Sequence, residues 1–368
     1  MKFIFSSFPD FSDNSFVILK YIISEKIPGK IYWLVSKSGN IKLIREKMMN
    51  YFPTDYSRIK LVKKNSVLGI FLYLSANYIF ETHGMFEKFP ILPWQKKINL
   101  WHGMPLKKIG WLSDHPVKMK MSYSISTAPI FNEIIEQAFK ISNAQVIPIG
   151  LPRNDLFFKK SNFNFSSLFG NEYPTIAWLP TYRKNNIGDI NLSGEQKTQE
   201  IGGFSYNELE QLDSYLGTQQ TNLVVKLHPM DILNLKTAEL ANFKNIIVLT
   251  ATKFSNLCIE VNDFLTNTQA LVTDYSSVYF DYLLSGHPIG VIKIDENEYA
   301  KQRGFVSEEV LSKFEGFKIQ DVYSFQEFIR ISNENPNSIS PTSVDIFNSY
   351  DRKGDNSKIL LEYIGIKK

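Results

Sequence analysis

Residues 271–282 read LVTDYSSVYFDY, and this stretch decides the kind of fold to expect. Apolar and β-branched residues at its start predict a buried strand, a polar turn follows, and the segment from Val278 has helical period. A strand that leads through a short turn into a helix is the basic unit of an α/β protein. Asp274, Ser276 and Ser277 lie where the helix should begin. They are equally suited to capping the helix and to binding a phosphate together with the free backbone N–H groups of the first helical turn.

Apolar runs of strand length alternate with helical segments along most of the chain. The predicted strands are Lys2–Ser6, Lys30–Val35, Tyr78–Glu81, Ile98–Trp101, Tyr123–Ser126, Gln145–Ile149, Thr175–Leu179, Leu223–Leu227, Ile246–Leu249, Ala270–Thr273 and Ile289–Ile292. The predicted helices are Ser15–Ser24, Ile41–Met49, Val67–Ala76, Ile130–Phe139, Tyr206–Leu216, Asp231–Ala241, Val278–Leu284, Ser324–Ile331 and Ser357–Ile364. Alternation in both halves predicts two Rossmann-like, doubly wound α/β domains with parallel sheets.

The domain boundaries are predicted from composition. Residues 150–174 mix Pro, Asn, Ser and Gly, as linkers do. We therefore expect an N-terminal domain at 1–155, a C-terminal domain at 156–335, and a helical tail at 336–368 that packs back on the N-terminal domain. The polar, glycine-bearing segment 185–203 is predicted to be a loop, either a mobile loop over a cleft or an ordinary surface loop.

Bulk composition excludes several classes of protein. The net charge of +4 is too small to predict nucleic-acid binding, which needs clustered Lys and Arg. A single cysteine, Cys258, excludes an intrachain disulfide and a cysteine-cluster metal site. The short apolar run at the N-terminus does not fit a signal peptide, and no run reaches the length of a membrane span. No His/Asp/Glu cluster has metal-ligand spacing, so neither a metal nor a cofactor is expected.

The stretch 99–110, NLWHGMPLKKIG, carries a candidate catalytic histidine. His102 follows a predicted strand, and Gly103 lets backbone approach a ligand closely. Pro105 suits the first position of a helix, whose free N–H groups would attract an anion. We therefore predict a base, His102, beside a phosphate site to which Lys107 or Lys108 contributes a cation.

Two more strand ends carry polar groups. His228 follows a predicted buried strand with Lys226 before it and Pro229 after it. The histidine either contacts a phosphate oxygen or only caps the next helix. Arg183, just after Thr181, can grip a phosphate with two N–H groups, although a lone arginine after a strand is usually a surface charge.

These motifs together resemble the CDP-glycerol glycerophosphotransferases of teichoic-acid synthesis. The matching segments are Trp-His-Gly-x-Pro-Leu-Lys at 101–107, Gly-x-Pro-Arg-Asn-Asp at 150–155, Pro-Thr-x-Arg at 180–183, Lys-x-His-Pro at 226–229, and Thr-Asp-Tyr-Ser-Ser at 273–277 followed by Phe-Asp at 280–281. Weaker matches lie near residues 8–15 and 298–305. At 315–316 the chain has Glu-Gly where the family often has Pro-Gly.

The resemblance implies a GT-B-like protein, in which two Rossmann-like domains face each other across a cleft, and a set of site residues. His102 would be the catalytic base, with His228 as a second catalytic histidine. Substrate-binding roles are implied for Gly103, Lys107, Lys108, Thr181, Arg183, Lys226, Pro229, Asp274, Ser276, Ser277 and Asp281. Residues 150–155 are assigned mainly to structure. His83 and His115 match no motif and could line the cleft, but these two and His287 are expected to be structural.

The resemblance also implies an activity. A CDP-glycerol or CDP-ribitol donor would transfer its polyol phosphate to a hydroxyl of a lipid-linked, phosphopolyol or saccharide acceptor, and CMP would leave. The product would be a teichoic-acid or capsule polymer, made at the cytoplasmic face of a bacterial membrane. Lys60, Lys63 and Lys64, before the apolar segment 67–74, either contact that membrane or are solvated lysines beside a buried helix. The alternatives are a nucleotide-sugar GT-B glycosyltransferase and a non-catalytic nucleotide- or polymer-binding protein.

Overall fold

The computed structural model describes residues 1–181, 200–228, 242–293, 304–339 and 341–367. The chain forms two compact units. Unit 1 contains Met1–Lys159 and Asp345–Lys368, and unit 2 contains Lys160–Val344. Each unit is built around one all-parallel sheet, and each is described by itself below.

Unit 1 holds a seven-stranded parallel sheet. Its strands are β1 (Lys2–Ser6), β2 (Lys30–Val35), β3 (Ile59–Lys63), β4 (Tyr78–Glu81), β5 (Lys96–Asn99), β6 (Tyr123–Ser126) and β7 (Val146–Pro148). They lie in the order β3-β2-β1-β4-β5-β6-β7. The central strands β1 and β4 are buried over almost their whole length, as expected of a parallel sheet in a doubly wound fold.

Five helices of unit 1 take part in this framework. They are α1 (Asp13–Ser24), α2 (Ile41–Tyr51), α3 (Val67–Leu74), α4 (Pro129–Phe139) and, near the end of the chain, a helix at Asn356–Tyr363. The buried carboxylate of Asp155 accepts hydrogen bonds from the backbone N–H groups of Asn356 (2.8 Å) and Ser357 (2.9 Å). This cap attaches the last helix to the end of the Met1–Lys159 part of unit 1.

Unit 2 holds a six-stranded parallel sheet and a separate hairpin. The sheet strands are β8 (Thr175–Leu179), β11 (Asn222–Lys226), β12 (Ile246–Leu249), β13 (Ala270–Thr273), β14 (Ile289–Ile292) and β15 (Phe317–Ile319), in the order β12-β11-β8-β13-β14-β15. The antiparallel hairpin consists of β9 (Glu200–Ile201) and β10 (Phe204–Ser205). Phe204 packs edge-on against the fully buried Trp178, with ring centroids 5.6 Å apart.

The described helices of unit 2 are mostly short. They are α5 (Ser166–Phe169), α6 (Tyr206–Thr218), α7 (Ala251–Asn256), α8 (Val261–Leu265), α9 (Val278–Tyr282), α10 (Glu308–Ser312), α11 (Val322–Glu334) and, continuing into unit 1, α12 (Pro341–Asn348); the helix at Asn356–Tyr363 is α13. Both α6 and α11 begin with capping boxes, formed by Ser205 with Glu208 and by Asp321 with Ser324. Within the described ranges, no helix is both long and apolar enough to cross a membrane.

Most predicted elements are confirmed within one or two residues at each end. One prediction near the candidate site is wrong. No helix starts at Pro105: residues 100–109 lack regular helix or strand structure, and only a 3₁₀ turn follows at Gly110–Leu112. Of the predicted loop 185–203, residues 200–201 form the hairpin strand β9 and residues 202–203 its turn, while residues 185–199, like the predicted helix Asp231–Ala241, lie outside the described residues.

Both sheets reverse their strand order beside their first strand. In unit 1 the reversal lies between β1 and β4, and in unit 2 between β8 and β13. At such a switch point the loops leave in opposite directions, which opens a crevice beyond the carboxyl ends of the strands. The described candidate site residues lie at the carboxyl ends of strands at or next to these two places.

Candidate active site

The switch point of unit 1 carries two stacked imidazoles. His83 follows Thr82 at the carboxyl end of β4, and His102 follows β5, the next strand in the sheet. The two rings lie nearly parallel, with centroids 4.1 Å apart and planes 11° apart. The indole of Trp101 lies 4.2 Å from the His102 ring, so the base candidate is enclosed by aromatic surfaces.

The backbone around His102 is unusual and is held by a distant asparagine. Trp101 has a φ of 49° and Gly103 a φ of 128°. Residues with a Cβ rarely adopt positive φ values. The buried Asn14 side chain donates to the carbonyl groups of Leu100 (3.2 Å) and Trp101 (3.0 Å). These bonds satisfy backbone groups that a helix or strand would otherwise pair.

Arg153 ties the His102 loop to the first helix. Its guanidinium Nη1 donates to the carbonyl of His102 at 3.0 Å and to the carboxylate of Asp13 at 2.9 Å. Its backbone N–H donates to Asn14 Oδ1 at 2.9 Å. Arg153 and Asp13 expose only 14% and 12% of their side chains, so this ion pair is poorly screened by water. The segment 150–155, predicted to be structural, thus also orients the base candidate.

The hydrogen bond of His102 defines its tautomer. Nδ1 lies 3.1 Å from the carbonyl oxygen of Thr82. A carbonyl oxygen can only accept, so Nδ1 carries the proton and Nε2 carries the lone pair. Burial lowers the pKa of His102 and outweighs the Thr82 bond and the charge of Asp13, which raise it; the charge of Arg153 lowers it further. A neutral imidazole with Nε2 as acceptor is the form that a general base needs.

His83 is the residue that motif reasoning missed. We expected it to be structural, yet it stacks on His102, and its Nδ1 shares a hydrogen bond with Thr82 Oγ1 at 2.8 Å. Thr82, which is fully buried, therefore holds both rings, one by its carbonyl and one by its hydroxyl. His83 is an exposed residue, but the protein around its ring, and then the charges of His102, Lys64 and Arg153, lower its pKa. The signal available from sequence was only its place at a strand end.

A buried cluster of charges lies next to these rings. Lys97 Nζ is 2.7 Å from Glu87 Oε1, 3.3 Å from Glu81 Oε1 and 2.8 Å from the carbonyl of Met85. One ammonium cannot neutralise two carboxylates, and Glu81 is only 1% exposed. Burial therefore raises the pKa of Glu81 to about 8, against the lowering effect of Lys97. At neutral pH this arrangement favours a protonated Glu81 beneath the site.

The remaining predicted residues of unit 1 are Gly103, Lys107 and Lys108. Gly103 is buried in the His102 loop. Lys107 is half-buried and Lys108 is exposed, and both lie in irregular chain rather than at a helix start. A helix dipole consequently adds nothing to anion binding here, and any attraction comes from the lysine charges themselves.

In unit 2, Thr181 and Asp274 meet at the switch point. The buried carboxylate of Asp274 accepts hydrogen bonds from the Thr181 backbone N–H, at 3.0 and 3.1 Å to its two oxygens. It also accepts from the Thr181 hydroxyl at 2.6 Å. One residue earlier, at the end of β13, the hydroxyl of Thr273 donates to the carbonyl of Leu179 on β8 at 2.9 Å. Asp274 therefore joins the loops that leave β8 and β13 and fixes the chain just before Arg183.

The serines after Asp274 remain accessible. Ser276 and Ser277 are half-buried, and the hydroxyl of Ser277 makes no capping bond to the short helix α9. Tyr275, between Asp274 and the serines, is buried with its ring 5.3 Å from that of Phe305. Asp281 is 1% exposed on α9. The Ser276 hydroxyl accepts from the backbone N–H of Val278 at 3.4 Å, and Asp274 anchors the turn at its first residue.

Lys226 and His228 lie at the carboxyl end of β11, the neighbour of β8. Both are half-buried, and the Lys226 ammonium lies 4.8 Å from the ring centroid of Phe254. Arg183 and Pro229 lie outside the described residues, as do residues 298–303 of the weaker motif. Across the ranges that the structure describes, no group of His, Cys, Asp and Glu could hold a metal ion.

These strand-end residues fit one known family. The family model described as CDP-glycerol:poly(glycerophosphate) glycerophosphotransferase matches residues 2–364. The chain belongs to this family. The resemblance drawn from the motifs is therefore confirmed over nearly the whole length.

Relatives of this family member carry names that place them in teichoic-acid synthesis. The teichoic acid ribitol-phosphate primase of Bacillus spizizenii is 29% identical over 223 residues, which are 56% of this chain and 54% of that protein. The teichoic acid glycerol-phosphate transferase of Staphylococcus aureus is 24% identical over 320 residues, covering 80% and 74%. The chain thus spans about half the length of the first of these relatives and about three quarters of the second.

Solved structures share the fold. The wall teichoic acid polymerase TagF, in crystals soaked with CDPG, superposes with a TM-score of 0.75 at 19% identity, covering 99% of this chain and 88% of that one. UDP-GlcNAc 2-epimerase from Neisseria meningitidis, bound to UDP-GlcNAc, gives a TM-score of 0.54 at 12% identity and covers 99% of each chain. At these identities the likeness shows the fold, two parallel-sheet α/β units, and nothing about ligands.

Proposed function

We propose that this family member transfers glycerol phosphate or ribitol phosphate from a CDP-polyol to an acceptor hydroxyl in teichoic-acid or capsule synthesis. The observation that carries the proposal is the bond from His102 Nδ1 to the Thr82 carbonyl, which leaves the lone pair on Nε2. Family membership and the names of the relatives supply the donor class.

In the proposed reaction, Nε2 of His102 takes the proton of the acceptor hydroxyl while that oxygen attacks the β-phosphorus of the donor. The new P–O bond forms as the bond from the β-phosphorus to CMP breaks, and CMP leaves with the electron pair. Phosphoryl transfer depends mainly on positioning and on stabilising charge. His102 is prepared for its part because its loop is fixed by Asn14 and Arg153.

The donor phosphates would bind in unit 2. We assign them to the hydroxyl groups of Ser276 and Ser277 and to the cationic or imidazole groups of Lys226, His228 and Arg183. Asp274 acts on them indirectly, because its carboxylate is already used by Thr181. Protein cations and hydroxyl donors suffice in principle to stabilise a pyrophosphate. For this chemistry the two units would face each other across a cleft in the GT-B manner, with the acceptor on unit 1.

A lipid-linked acceptor at the inner face of the membrane would require peripheral attachment. Helix α3 supports this, since Val67, Leu68 and Phe71 are exposed by 88%, 54% and 62% and follow a lysine-rich strand end. Exposed apolar groups beside lysines suit an anionic bilayer. Phe71→Ser should reduce sedimentation with anionic vesicles severalfold, whereas Tyr323→Ser, which removes a side chain 74% exposed in unit 2, should not. Equal binding by both variants would contradict the membrane contact.

The test of the proposed function is CMP release from CDP-glycerol and from CDP-ribitol with an oligomeric phosphopolyol acceptor. We expect one donor to give CMP, and His102→Ala to lower kcat by a factor of about 10² to 10⁴, the usual contribution of a general base. His115→Ala is the matched control because His115 is exposed and lies outside the switch point.

Two results would overturn the proposal. Normal turnover by a folded His102→Ala protein would remove His102 as the base. Sugar transfer from a nucleotide sugar, with no CMP from either CDP-polyol, would instead identify the chain as a GT-B glycosyltransferase.

A further inference from the structure

Unit 1 contains a cavity that the reaction described above does not use. It has a volume of about 580 Å³ and lies at the carboxyl ends of β2 and β3. Three lysines line it, Lys37, Lys63 and Lys64, together with small polar side chains such as Asn40 and Ser66. It therefore opens at the same edge of the sheet as the His102 loop.

The lining of this cavity carries more positive than negative charge. No Asp or Glu is among its lining residues. Of the ion pairs found within the described ranges, none involves Lys37, Lys63 or Lys64. One carboxylate lies close by, that of Asp10, which accepts from the backbone N–H and the hydroxyl of the lining residue Ser36. Three lysines against this one carboxylate leave the lining net positive, which favours a bound anion.

Two helix ends add to the positive potential. The N-termini of α2 and α3 both border the cavity, since Asn40 and Ser66 are their N-caps and Ile41 opens α2. Each cap satisfies one backbone N–H, that of Leu43 or Gly69, by its side-chain oxygen. The positive ends of both helix dipoles remain directed at the cavity. A phosphate group is the anion that lysines and helix N-termini suit best.

The cavity is close enough to the switch point for its charge to act on groups there. The charge of Lys64 acts on both Glu81 and His83, which lie at the switch point. Strand β2 is three positions from β5 in the sheet, and adjacent strands are roughly 4.8 Å apart, so a group in the cavity is roughly 14 Å from the strand that leads to His102. A chain bound in the cavity could reach the base only if it is longer than one small polyol.

We propose that the cavity lined by Lys37, Lys63 and Lys64 is an acceptor subsite that binds a phosphate set back from the reacting hydroxyl. This inference rests on the proposed function, because it names the part of the acceptor that unit 1 holds. The acceptor class is a chain that already carries phosphates, and the cavity selects for its length. A neutral saccharide terminus would gain nothing from it.

The experiment compares acceptors of two lengths. Lys37→Gln, Lys63→Gln and Lys64→Gln are combined in one variant, and CMP release is measured with a phosphopolyol oligomer and with a single polyol phosphate. We expect the KM for the oligomer to rise at least tenfold, and the KM values for the single unit and for the CDP donor to stay the same. The matched control replaces Lys26, Lys30 and Lys358 with glutamine, three exposed lysines that remove the same charge elsewhere on unit 1.

A binding measurement separates failure of this inference from failure of the proposed function. Titration of the oligomer into the protein without donor should show binding that the lysine variant loses at least tenfold and the control variant keeps. Equal binding by wild type and lysine variant would overturn the subsite, whether or not CMP is released. A loss confined to anionic vesicles, with oligomer binding and its KM unchanged, would also overturn it and assign the lysines to lipid headgroups. If the control variant loses oligomer binding as well, the effect comes from the net charge of the protein and not from this cavity, which would also overturn the subsite.

Discussion

Replacing Arg153 with methionine tests whether the His102 loop depends on a distant ion pair. The guanidinium donates to the carbonyl of His102 at 3.0 Å and to the carboxylate of Asp13 at 2.9 Å. Methionine keeps much of the apolar stem but removes both bonds. Asp13, with 12% of its side chain exposed, is then left charged and largely out of water.

The magnitude follows from burial. Removing one partner of a fully buried ion pair costs about 3–5 kcal/mol, and loss of a single hydrogen bond to a charged group about 1.5–3 kcal/mol. Because about a tenth of each side chain still reaches water, we expect Arg153→Met to lower the free energy of unfolding of unit 1 by about 3 kcal/mol. Adding Asp13→Asn should recover part of this loss, since the unpaired charge is then gone.

Urea unfolding followed by tryptophan fluorescence is a suitable assay because four of the five tryptophans lie in unit 1. Arg45→Met, at an exposed position of α2, serves as the control and should change the stability by less than about 0.5 kcal/mol. The charge of Arg153 lowers the pKa of His102, so its removal raises that pKa. Because the base must be neutral to act, its protonation as pH falls then begins at a higher pH, and the acidic limb of the kcat/KM profile shifts to higher pH.

Two outcomes would refute this reasoning. If Arg153→Met and Asp13→Asn have strictly additive effects on stability, the two side chains do not act as a pair. If the stability falls but the acidic limb stays in place, Arg153 supports the fold without influencing the base.

Three further predictions concern single positions. Asp274→Asn should raise the KM for the CDP donor about tenfold, which corresponds to about 1.4 kcal/mol, because the amide loses the negative charge and one of the two oxygens that accept from Thr181; an unchanged donor KM would separate this contact from donor binding. Gly103→Ala should cost about 1–3 kcal/mol of stability and lower kcat, since its φ of 128° is strained for alanine; urea midpoints and turnover at wild-type levels would show that the loop adapts. The pKa of Glu81 is about 8 in the folded protein against an ordinary 4.5, so between these pH values the native state binds one proton more than the unfolded chain. The free energy of unfolding should therefore fall as pH rises from 5 to 8, and Glu81→Gln should flatten that dependence. A variant with the same pH profile as wild type would contradict the assignment.

The sequence was sufficient for the elements that depend on local pattern. Buried parallel strands are continuous apolar runs, so β1, β2, β4, β8 and β13 were predicted to the residue. The edge strands β3 and β15 were missed because an edge strand is short and carries polar residues, as in Ile59–Lys63. The helix predicted after Pro105 failed for a different reason: the proline and glycine signals were real, but distant side chains hold that segment in an irregular conformation.

The same distinction explains which site residues could be predicted. Motifs marked the ends of strands correctly, since in a parallel sheet the carboxyl ends of the strands meet at one edge, and Thr181 and Asp274 do meet there. The partners of His102 could not be predicted from local sequence. Asn14 is 87 residues from Trp101 and Arg153 is 51 residues from His102, and the contacts exist only because α1 and the segment after β7 return to the same strand ends.

Thr82 is a residue of the candidate site that nothing in the sequence singled out. It has neither charge nor a recognisable motif, yet its carbonyl sets the tautomer of His102 and its hydroxyl holds His83. The position matters more than the side chain for the first contact, because any residue at the end of β4 would offer a carbonyl. Thr82→Val should therefore keep the tautomer of His102 and disturb only His83. If this variant loses as much activity as His102→Ala, both imidazoles are needed as a unit; if it keeps full activity, the carbonyl alone prepares the base.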